Sequence, residues 1–205
     1  MWARLESNTI KEILIRPKAL TLGDVNYPSN IFSMWTDAEL AVIGIVPVTM
    51  DNTNLKDKEY YINTDVTYAY DTETGVATAS YGTATAKPIA DTLYTAQDET
   101  DGLGTEGEVK TQGLKTLHKE KINAQAAGNL APTDWMVVRA AEGGTAVPSS
   151  ITTKRAAVRT KANAMCVQID GVSDVDALAT LYEYTNTGTE ESPVYTRPLG
   201  ELPTV

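Results

Sequence analysis

The chain has 205 residues, a formal net charge of −10 and a sequence pI near 4.6. Proteins that bind nucleic acid need clustered Lys and Arg side chains to neutralise phosphates, so this acidic composition argues against nucleic acid as a partner. The single cysteine, Cys166, excludes a disulfide within the chain and any metal site built from several cysteines.

Neither a membrane segment nor an export signal is predicted. No apolar run approaches the roughly 18 residues that a transmembrane helix needs. The first residues also lack the basic and then apolar pattern of a signal peptide. We therefore expect synthesis in a cytoplasm, no membrane insertion, and export only as part of a larger particle.

The chain begins with a predicted β-hairpin. Residues 2–15 are predicted to form two short strands around Ser7 and Asn8, a pair that is typical of tight turns, and the β-branched residues Ile10, Ile13 and Ile15 favour the second strand. The Arg16-Pro17 pair is expected to end this unit, because the residue before a proline favours extended geometry.

A short helix is predicted next. Thr36 is followed three residues later by Glu39, which is the pattern of a capping box at the start of a helix. The helix is expected over residues 37–43, because Gly44 can end it. A strand over residues 45–50 should follow.

Three strand-like runs rich in tyrosine then predict a β-meander or a pair of hairpins. Turn residues separate the runs, which are Tyr60–Ile62, Val66–Tyr70 and Val76–Tyr81. Within the second run, Val66, Tyr68 and Tyr70 lie on one face, since side chains alternate along a strand.

The segment 91–108 is acidic, contains glycine and shows no hydrophobic periodicity. Such composition favours a flexible connection over a packed element. We therefore predict an acidic flexible linker between a β-rich domain at residues 1–90 and a helical part that begins at residue 109.

A helical bundle is predicted for residues 109–184. In the third helix apolar side chains recur at three, four and seven residues, as on the buried face of an amphipathic helix, and the first helix carries an imperfect stripe. The predicted inward positions are Leu114, Leu117, Ile122 and Leu130 in the first helix, Trp135, Val138 and Ala141 in the second, Ile151, Val158, Ala162, Met165 and Ile169 in the third, and Val175, Leu178 and Leu181 in the fourth. Ser173 is expected to cap the fourth helix. Residues 185–205 contain three prolines and predict an extended tail. The predicted fold class is therefore α+β.

The side chains that could take part in catalysis or metal binding are better explained by structural roles. His118 is the only histidine and is predicted to be an exposed helical residue, so no histidine-based triad or metal site can form. Cys166 is expected to pack on an apolar helix face. Asp170, Asp174 and Asp176 lack the loop of a calcium site and are expected to cap helices. No phosphate-binding loop or nucleophile elbow is present, so we predict no catalytic residue, cofactor or metal.

Three arginines near the two middle helices have two interpretations. Arg155 and Arg159 are one helical turn apart and share a face, and Glu142 is expected across the hairpin. In the first interpretation, a partly buried ion pair ties the helices together. In the second, Arg139, Arg155 and Arg159 lie at a subunit contact, where the planar guanidinium group is favoured. Trp135 is likewise either a core residue of the hairpin or a contact residue.

The run from Leu130 to Arg159 resembles the C-terminal helical segment of small structural and fibre-assembly proteins of tailed bacteriophages. The matching positions are Leu130, Thr133, Asp134, Trp135, Arg139, Glu142, Gly143, Pro148, Arg155 and Arg159. The N-terminal part resembles the opening of phage tail proteins, in which a hairpin leads to a Tyr-Pro turn and a buried Trp. The matching segments here are Trp2–Glu6, Ile10–Ile13, Asn26–Pro28 and Ile31–Trp35.

This resemblance implies a non-catalytic structural component of a tailed-phage virion, in the tail, baseplate or fibre-attachment region. Such a protein would act by docking to copies of itself and to other virion proteins. The candidate interface residues are Trp135, Arg139, Arg155, Arg159, Tyr68 and Tyr70.

The alternative is a fibre-assembly chaperone that leaves before the particle is finished. Such chaperones usually pass directly from a short N-terminal domain to the helices, whereas about fifty β-like residues intervene here. That departure favours the virion component. A cell-wall hydrolase is a third possibility, disfavoured because no catalytic constellation is present.

Overall fold

The structure is a computed structural model that describes residues Met1–Val205 and divides into two compact units, Met1–Thr85 and Ala86–Val205. The first unit is rich in β-strands and the second in helices, which confirms the predicted α+β class. The elements of the first unit are β1 (Trp2–Glu6), β2 (Thr9–Leu14), β3 (Leu20–Leu22), β4 (Val25–Tyr27), α1 (Ile31–Met34), α2 (Asp37–Val42), β5 (Ile45–Asp51), β6 (Tyr61–Ile62), β7 (Val66–Asp71) and β8 (Val76–Tyr81). Strand β9 (Thr85–Ala86) spans the division along the chain.

The second unit begins with a small hairpin and continues with helices. Its elements are β10 (Thr92–Leu93), α3 (Ala96–Thr100), β11 (Val109–Thr111), α4 (Leu114–Leu130), a 3-10 turn (Ala131–Thr133), α5 (Asp134–Ala141), α6 (Ser149–Gly171), α7 (Val175–Thr180), β12 (Thr185–Asn186) and β13 (Tyr195–Thr196). Even α6, with 23 residues, is not apolar enough to cross a membrane.

A five-stranded sheet in the order β2-β1-β5-β8-β7 forms the first unit. The predicted hairpin β1–β2 is confirmed, with Ser7 and Asn8 at φ values of 50° and 61°. Both central residues of such a tight turn need positive φ, which asparagine adopts more readily than most residues. Strand β5 pairs with β1 antiparallel and with β8 parallel, and β7–β8 is a second hairpin. The edge strands β2 and β7 contact each other, so the sheet is strongly curved.

The curved sheet has a core on each face. Side chains alternate along the strands, so Trp2 and Ala3, or Ile45 and Val46, contribute to different cores. The first core also contains α2, whose capping box between Thr36 and Glu39 is confirmed. Its buried residues are Leu14, Leu20, Ile31, Phe32, Leu40 and Ile45. The smaller second core is formed by Ala3, Val46 and Ala77.

The acidic segment 91–108 is folded, so the predicted flexible linker is wrong. Strands β10 and β11 pair antiparallel around α3, and Thr95 and Asp98 form a capping box at the start of that helix. The Nζ of Lys110 donates to Asp98 Oδ1 at 2.6 Å. The Asp98 carboxylate accepts hydrogen bonds from the backbone N–H and the hydroxyl of Thr95 and from Lys110, and these bonds stabilise structure where composition alone suggested disorder.

Helices α4 and α6 pack against each other and form the centre of the second unit. The buried side chains of α6 include four predicted ones, which are Val158, Ala162, Met165 and Ile169. The buried face of α4 comprises Leu114, His118, Ile122 and Ala126. The prediction that His118 is exposed is wrong: a spacing of four residues places the histidine on this face, where its ring lies 4.9 Å from the ring of Tyr182. Leu117 and Leu130 are not buried.

The C-terminal residues are packed against the helices, so the predicted extended tail is also wrong. Strands β12 and β13 form a hairpin. Leu199 is completely buried, its backbone N–H donates to the carbonyl of Leu181 at 3.0 Å, and Lys161 donates to the carbonyl of Leu199 at 2.9 Å. The sequence did not predict this packing, because Leu199 is a single apolar residue in a proline-containing stretch and belongs to no periodic pattern.

Candidate functional site

Helix α5 presents an exposed surface that includes large apolar side chains, because none of its side chains is buried. An isolated helix of eight residues is marginal in water, and most helices in proteins are stabilised by burying one face. Here Trp135 and Val138 are each 55% exposed, and Val137 is 41% exposed. The predicted inward positions Trp135 and Val138 therefore face solvent. Several large apolar side chains exposed on one short helix favour an interaction site.

Arg139 lies over the exposed indole of Trp135. The guanidinium carbon is 4.8 Å from the ring centroid, which is a cation–π geometry. Arg139 is half-buried, and its Nε is enclosed without a hydrogen-bond partner. The pair thus presents an aromatic ring and a cation together, both from residue types that are enriched at the centres of protein interfaces.

The end of α5 is fixed by two glycines. Gly144 N–H donates to the carbonyl of Arg139 at 2.9 Å, and Gly143 N–H donates to that of Ala140 at 3.2 Å. These two bonds form a Schellman motif, in which the first glycine adopts positive φ, here 83°. The motif holds the backbone of Arg139 in place without using its side chain.

Arg155 fixes the start of α5 from the neighbouring helix α6. Its Nη1 donates to the carbonyl of Leu130 at 2.8 Å and to Thr133 Oγ1 at 2.5 Å, and its Nη2 donates to Asp134 Oδ1 at 2.7 Å. The side chain is 7% exposed. The ion pair that ties the helices thus joins Arg155 to Asp134 rather than to Glu142, because the buried guanidinium reaches the start of α5 and not its end.

Arg159 lies one turn further along α6 and is exposed. Together with Arg155 it lines a shallow cavity between α5 and α6. The other lining residues are Val137, Val147 and Thr152. The cavity therefore has apolar walls and a cationic rim, and an apolar side chain accompanied by a carboxylate would match both.

The two tyrosine candidates belong to the other unit. Tyr68 and Tyr70 lie on the edge strand β7, with Tyr68 39% exposed and Tyr70 packed against the core of Ala3, Val46 and Ala77. The structure thus gathers four candidates on the α5–α6 hairpin and places two elsewhere in the fold. Of these two, Tyr68 has the greater exposure.

A second exposed apolar surface, which the sequence did not single out, surrounds α2. Val42 is 86% exposed and Met34 is 74% exposed. Trp35, for which the resemblance implied a buried position, is 36% exposed and contacts Tyr27 edge-on at 5.8 Å between ring centroids. Trp35, Glu39 and Val42 line a shallow cavity with Ile43. Leu40 takes the inward position of α2, so Val42 must point away, which the helical period could have revealed.

Charge is distributed unevenly along the chain. Residues 19–55, which include α2, contain four carboxylates and no Lys or Arg. Residues 143–169, which include most of α6, contain four Lys and Arg residues and no carboxylate. The chain is acidic as a whole, but this part of the helical unit is basic.

The remaining candidates have structural roles in the second unit. Burial raises the pKa of the Cys166 thiol, so it stays protonated at neutral pH. Asp174 caps α7, as expected, by accepting from the N–H of Ala177 at 2.8 Å, which lowers the pKa of its carboxyl. The prediction that Ser173 caps this helix is wrong. No cluster of His, Cys, Asp and Glu is arranged to hold a metal ion.

Comparison with known proteins yields no relatives from which to transfer a function. No family model matches the chain, and neither a curated protein nor a solved structure matches it significantly.

Proposed function

We propose that this protein is a non-catalytic structural component of a tailed-phage virion. It acts in the tail, baseplate or fibre-attachment region by docking to copies of itself and to other virion proteins. The observation that carries the proposal is α5, a helix that buries none of its side chains and leaves Trp135 and two valines exposed.

Three further features support a role based on contacts. Trp and Arg occur together on α5, and these residue types dominate the energetically important positions of protein interfaces. The run from Leu130 to Arg159 resembles the helical segment of phage structural and fibre-assembly proteins. The strongly negative net charge favours solubility of the free subunit before assembly.

The direct test is quantitative mass spectrometry of particles purified from infected cells. We expect this protein in the particles at a fixed copy number relative to the other tail proteins. Its absence from particles, combined with abundance in the infected-cell lysate, would contradict the proposal and favour the fibre-assembly chaperone.

Complementation with variants connects the test to α5. A phage that lacks its own copy of this gene is supplied with the wild-type protein, with Val138→Asp, or with Val167→Asp. Val167 is a matched control, since it is a valine of α6 that is 69% exposed. Val138→Asp is expected to reduce incorporation and infectivity, while Val167→Asp is expected to preserve both. If both variants lose incorporation and infectivity equally, any added charge disturbs the subunit. Such a result would contradict a specific role of α5.

A further inference from the structure

The only histidine of the chain lies inside the second unit. The side chain of His118 is 1% exposed, on the face of α4 that also buries Leu114, Ile122 and Ala126. Histidine is the one side chain whose ordinary titration falls between about pH 5 and 8. Burial favours the neutral imidazole, because taking a charge out of water is costly. The helical unit therefore encloses a single group that mild acid charges once water reaches it.

His118 packs against the beginning of the C-terminal segment, which comprises residues 182–205. The centroid of its ring lies 4.9 Å from that of the Tyr182 ring. The guanidinium of Arg197 lies 5.5 Å from the centroid of the same tyrosine ring, and it also forms an ion pair with Glu201 at 2.8 Å. An imidazolium at position 118 would therefore lie against a ring that already holds a cation.

The carboxylates of the elements around His118 are engaged elsewhere or exposed to water. Asp170 of α6 accepts from Lys119 Nζ at 2.7 Å, and its backbone carbonyl accepts from Lys115 Nζ at 2.8 Å. Asp91, which precedes α4, accepts from the backbone N–H of Gly113 at 2.7 Å. The remaining carboxylates of these elements are all exposed, and they are Glu120, Asp174, Asp176 and Glu183. The other ionisable side chains there are Lys121, Lys161 and Cys166. Because solvent weakens the attraction of exposed charges, these carboxylates do little to stabilise a buried cation.

The C-terminal segment is attached to the helices through Leu199 and several backbone carbonyls. Leu199 is completely buried, its N–H donates to the carbonyl of Leu181, and its own carbonyl accepts from Lys161. Asn129 Nδ2 donates to the carbonyl of Pro203 at 3.1 Å. Helices α4 and α6, in contrast, each bury a stripe of side chains along their length. Local openings start where burial is smallest, so detachment of the C-terminal segment exposes His118 at less cost than separation of the two helices.

We infer that protonation of His118 releases the C-terminal segment from the helices in mild acid. In the closed form the imidazole is neutral and packs on Tyr182. In the open form water reaches the ring, which then takes up a proton near pH 6.5, at about the ordinary value for an exposed histidine. Because the proton binds the open form and not the closed one, acid shifts the equilibrium toward opening. The inference concerns the subunit itself and does not rest on the proposed function.

The size of the effect follows from the same linkage. At about pH 7.5 most open molecules carry a neutral imidazole, so the closed form has its full stability. At about pH 5.5 protonated open molecules outnumber neutral ones by roughly ten to one. The opening equilibrium constant is therefore expected to rise about tenfold between these two pH values.

Hydrogen exchange of the full-length protein measures this opening. The N–H of Leu199 reports on the C-terminal segment, that of Val158 on the centre of α6, and that of Leu5, which donates to the carbonyl of Gly44, on the first unit. Rates at about pH 7.5 and about pH 5.5 are corrected for the intrinsic effect of pH on exchange. We expect the protection of Leu199 to fall about tenfold in acid and to stay below that of Val158, while Leu5 keeps its protection.

His118→Leu removes the titration and keeps an apolar side chain of similar size. The protection of Leu199 should then be the same at both pH values, whatever its absolute level. Glu120→Gln is the matched control, because it alters an exposed ionisable group on the same helix and should keep the tenfold response. The NMR signal of the His118 ring in the wild type needs no variant. In the closed form it should keep the chemical shift of a neutral imidazole at about pH 5.5.

Four outcomes would overturn the inference. Leu199 could keep its protection in acid, or its response to acid could persist in His118→Leu. Leu199 and Val158 could exchange equally fast, which would mean that the whole helical unit opens. The ring of His118 could also titrate near pH 6.5, at about the value of an exposed histidine, while the segment stays closed.

Discussion

Helices α5 and α6 are neighbours in one hairpin but are held in different ways. Helix α6 is stabilised along its length by a buried stripe that includes Val158 and Met165. Helix α5 fully buries none of its side chains and is held at its ends, by Arg155 at its start and by Gly143 and Gly144 after its last turn. A helix that is fixed at its ends keeps its side chains available for another molecule, which is how a rigid but exposed surface can be built.

The short helix α3 repeats the pattern of α5. It also buries no side chain, and it is held by a capping box at Thr95 and by the contact between Lys110 and Asp98. The second unit therefore contains helices ordered by burial, α4 and α6, and helices ordered by contacts at their ends, α3 and α5. Four substitution experiments test this distinction.

The largest difference is expected between Met165→Ala and Trp135→Ala. Met165 is completely buried, so its truncation leaves a cavity and should lower the free energy of unfolding by about 2–5 kcal/mol. Trp135 is exposed, and its truncation should change that free energy by less than about 1 kcal/mol. Chemical denaturation of both variants measures the difference. Equal destabilisation would mean that α5 is ordered by burial after all.

Arg155→Met should destabilise the protein more than the same substitution at Arg159, the other arginine of α6. Its loss removes three hydrogen bonds of a buried guanidinium, for an expected cost of about 2–3 kcal/mol. The matched substitution Arg159→Met alters an exposed side chain and should change stability by less than about 0.5 kcal/mol. Thermal unfolding of the two variants measures the difference in stability. A neutral effect of Arg155→Met would remove the anchor assigned to the start of α5.

Gly143→Ala tests the anchor at the other end of α5. The residue has a φ of 83°, which is unfavourable for alanine, so the substitution should cost about 1–2 kcal/mol. Gly128→Ala is the control with the opposite sign. Gly128 lies inside α4 with open space where the methyl group of alanine would lie, and alanine there should stabilise the protein by about 0.5–1 kcal/mol. Denaturant midpoints of the two variants should move in opposite directions.

As the pH falls, we expect α3 to lose its ordered structure at a higher pH than α6. The hydrogen bond from Lys110, followed by those from Thr95, lowers the pKa of Asp98 to about 2. An unfolded aspartate titrates near 3.9. The contribution of Asp98 is therefore complete above about pH 4 and is lost as the pH falls through about 2. NMR chemical shifts of the α3 amides should follow this loss.

Asp98→Asn is expected to remove most of that acid dependence. Glu106→Gln is the control, because it alters a carboxylate in the same segment that does not cap α3. If the amides of α3 respond to acid equally in both variants, the ordering of α3 does not depend on Asp98.

Much of the fold could be predicted because several of its elements are determined by patterns of residues that are close in the sequence. The Ser7-Asn8 turn, the capping box at Thr36 and the stripe of α6 each depend on neighbouring residues. The packed C-terminal stretch and the folded segment 91–108 depend on contacts between distant residues, such as Lys161 with Leu199 and Lys110 with Asp98. Composition cannot reveal such contacts.

The candidate surface was predicted only in part. The residue types of α5 identified Trp135 and Arg139 as contact candidates, but the same apolar pattern also predicted burial. Which side chains are covered depends on where α4 and α6 pack, and this is a tertiary property. Val42 was missed because the helical period places it on the outward face only once Leu40 is known to take the inward position, and the burial of Leu40 is a tertiary property.

The buried position of Leu199 sets the order of events during synthesis. Ile169, at the end of the α6 stripe, is made thirty residues before Leu199, so the ribosome needs roughly 2–6 seconds to travel between them at about 5–20 residues per second. Throughout that interval the nascent helices lack the side chain that completes their core. The helical unit therefore completes its core only after Leu199 has been synthesised, and its apolar stripe is open to cellular chaperones until then.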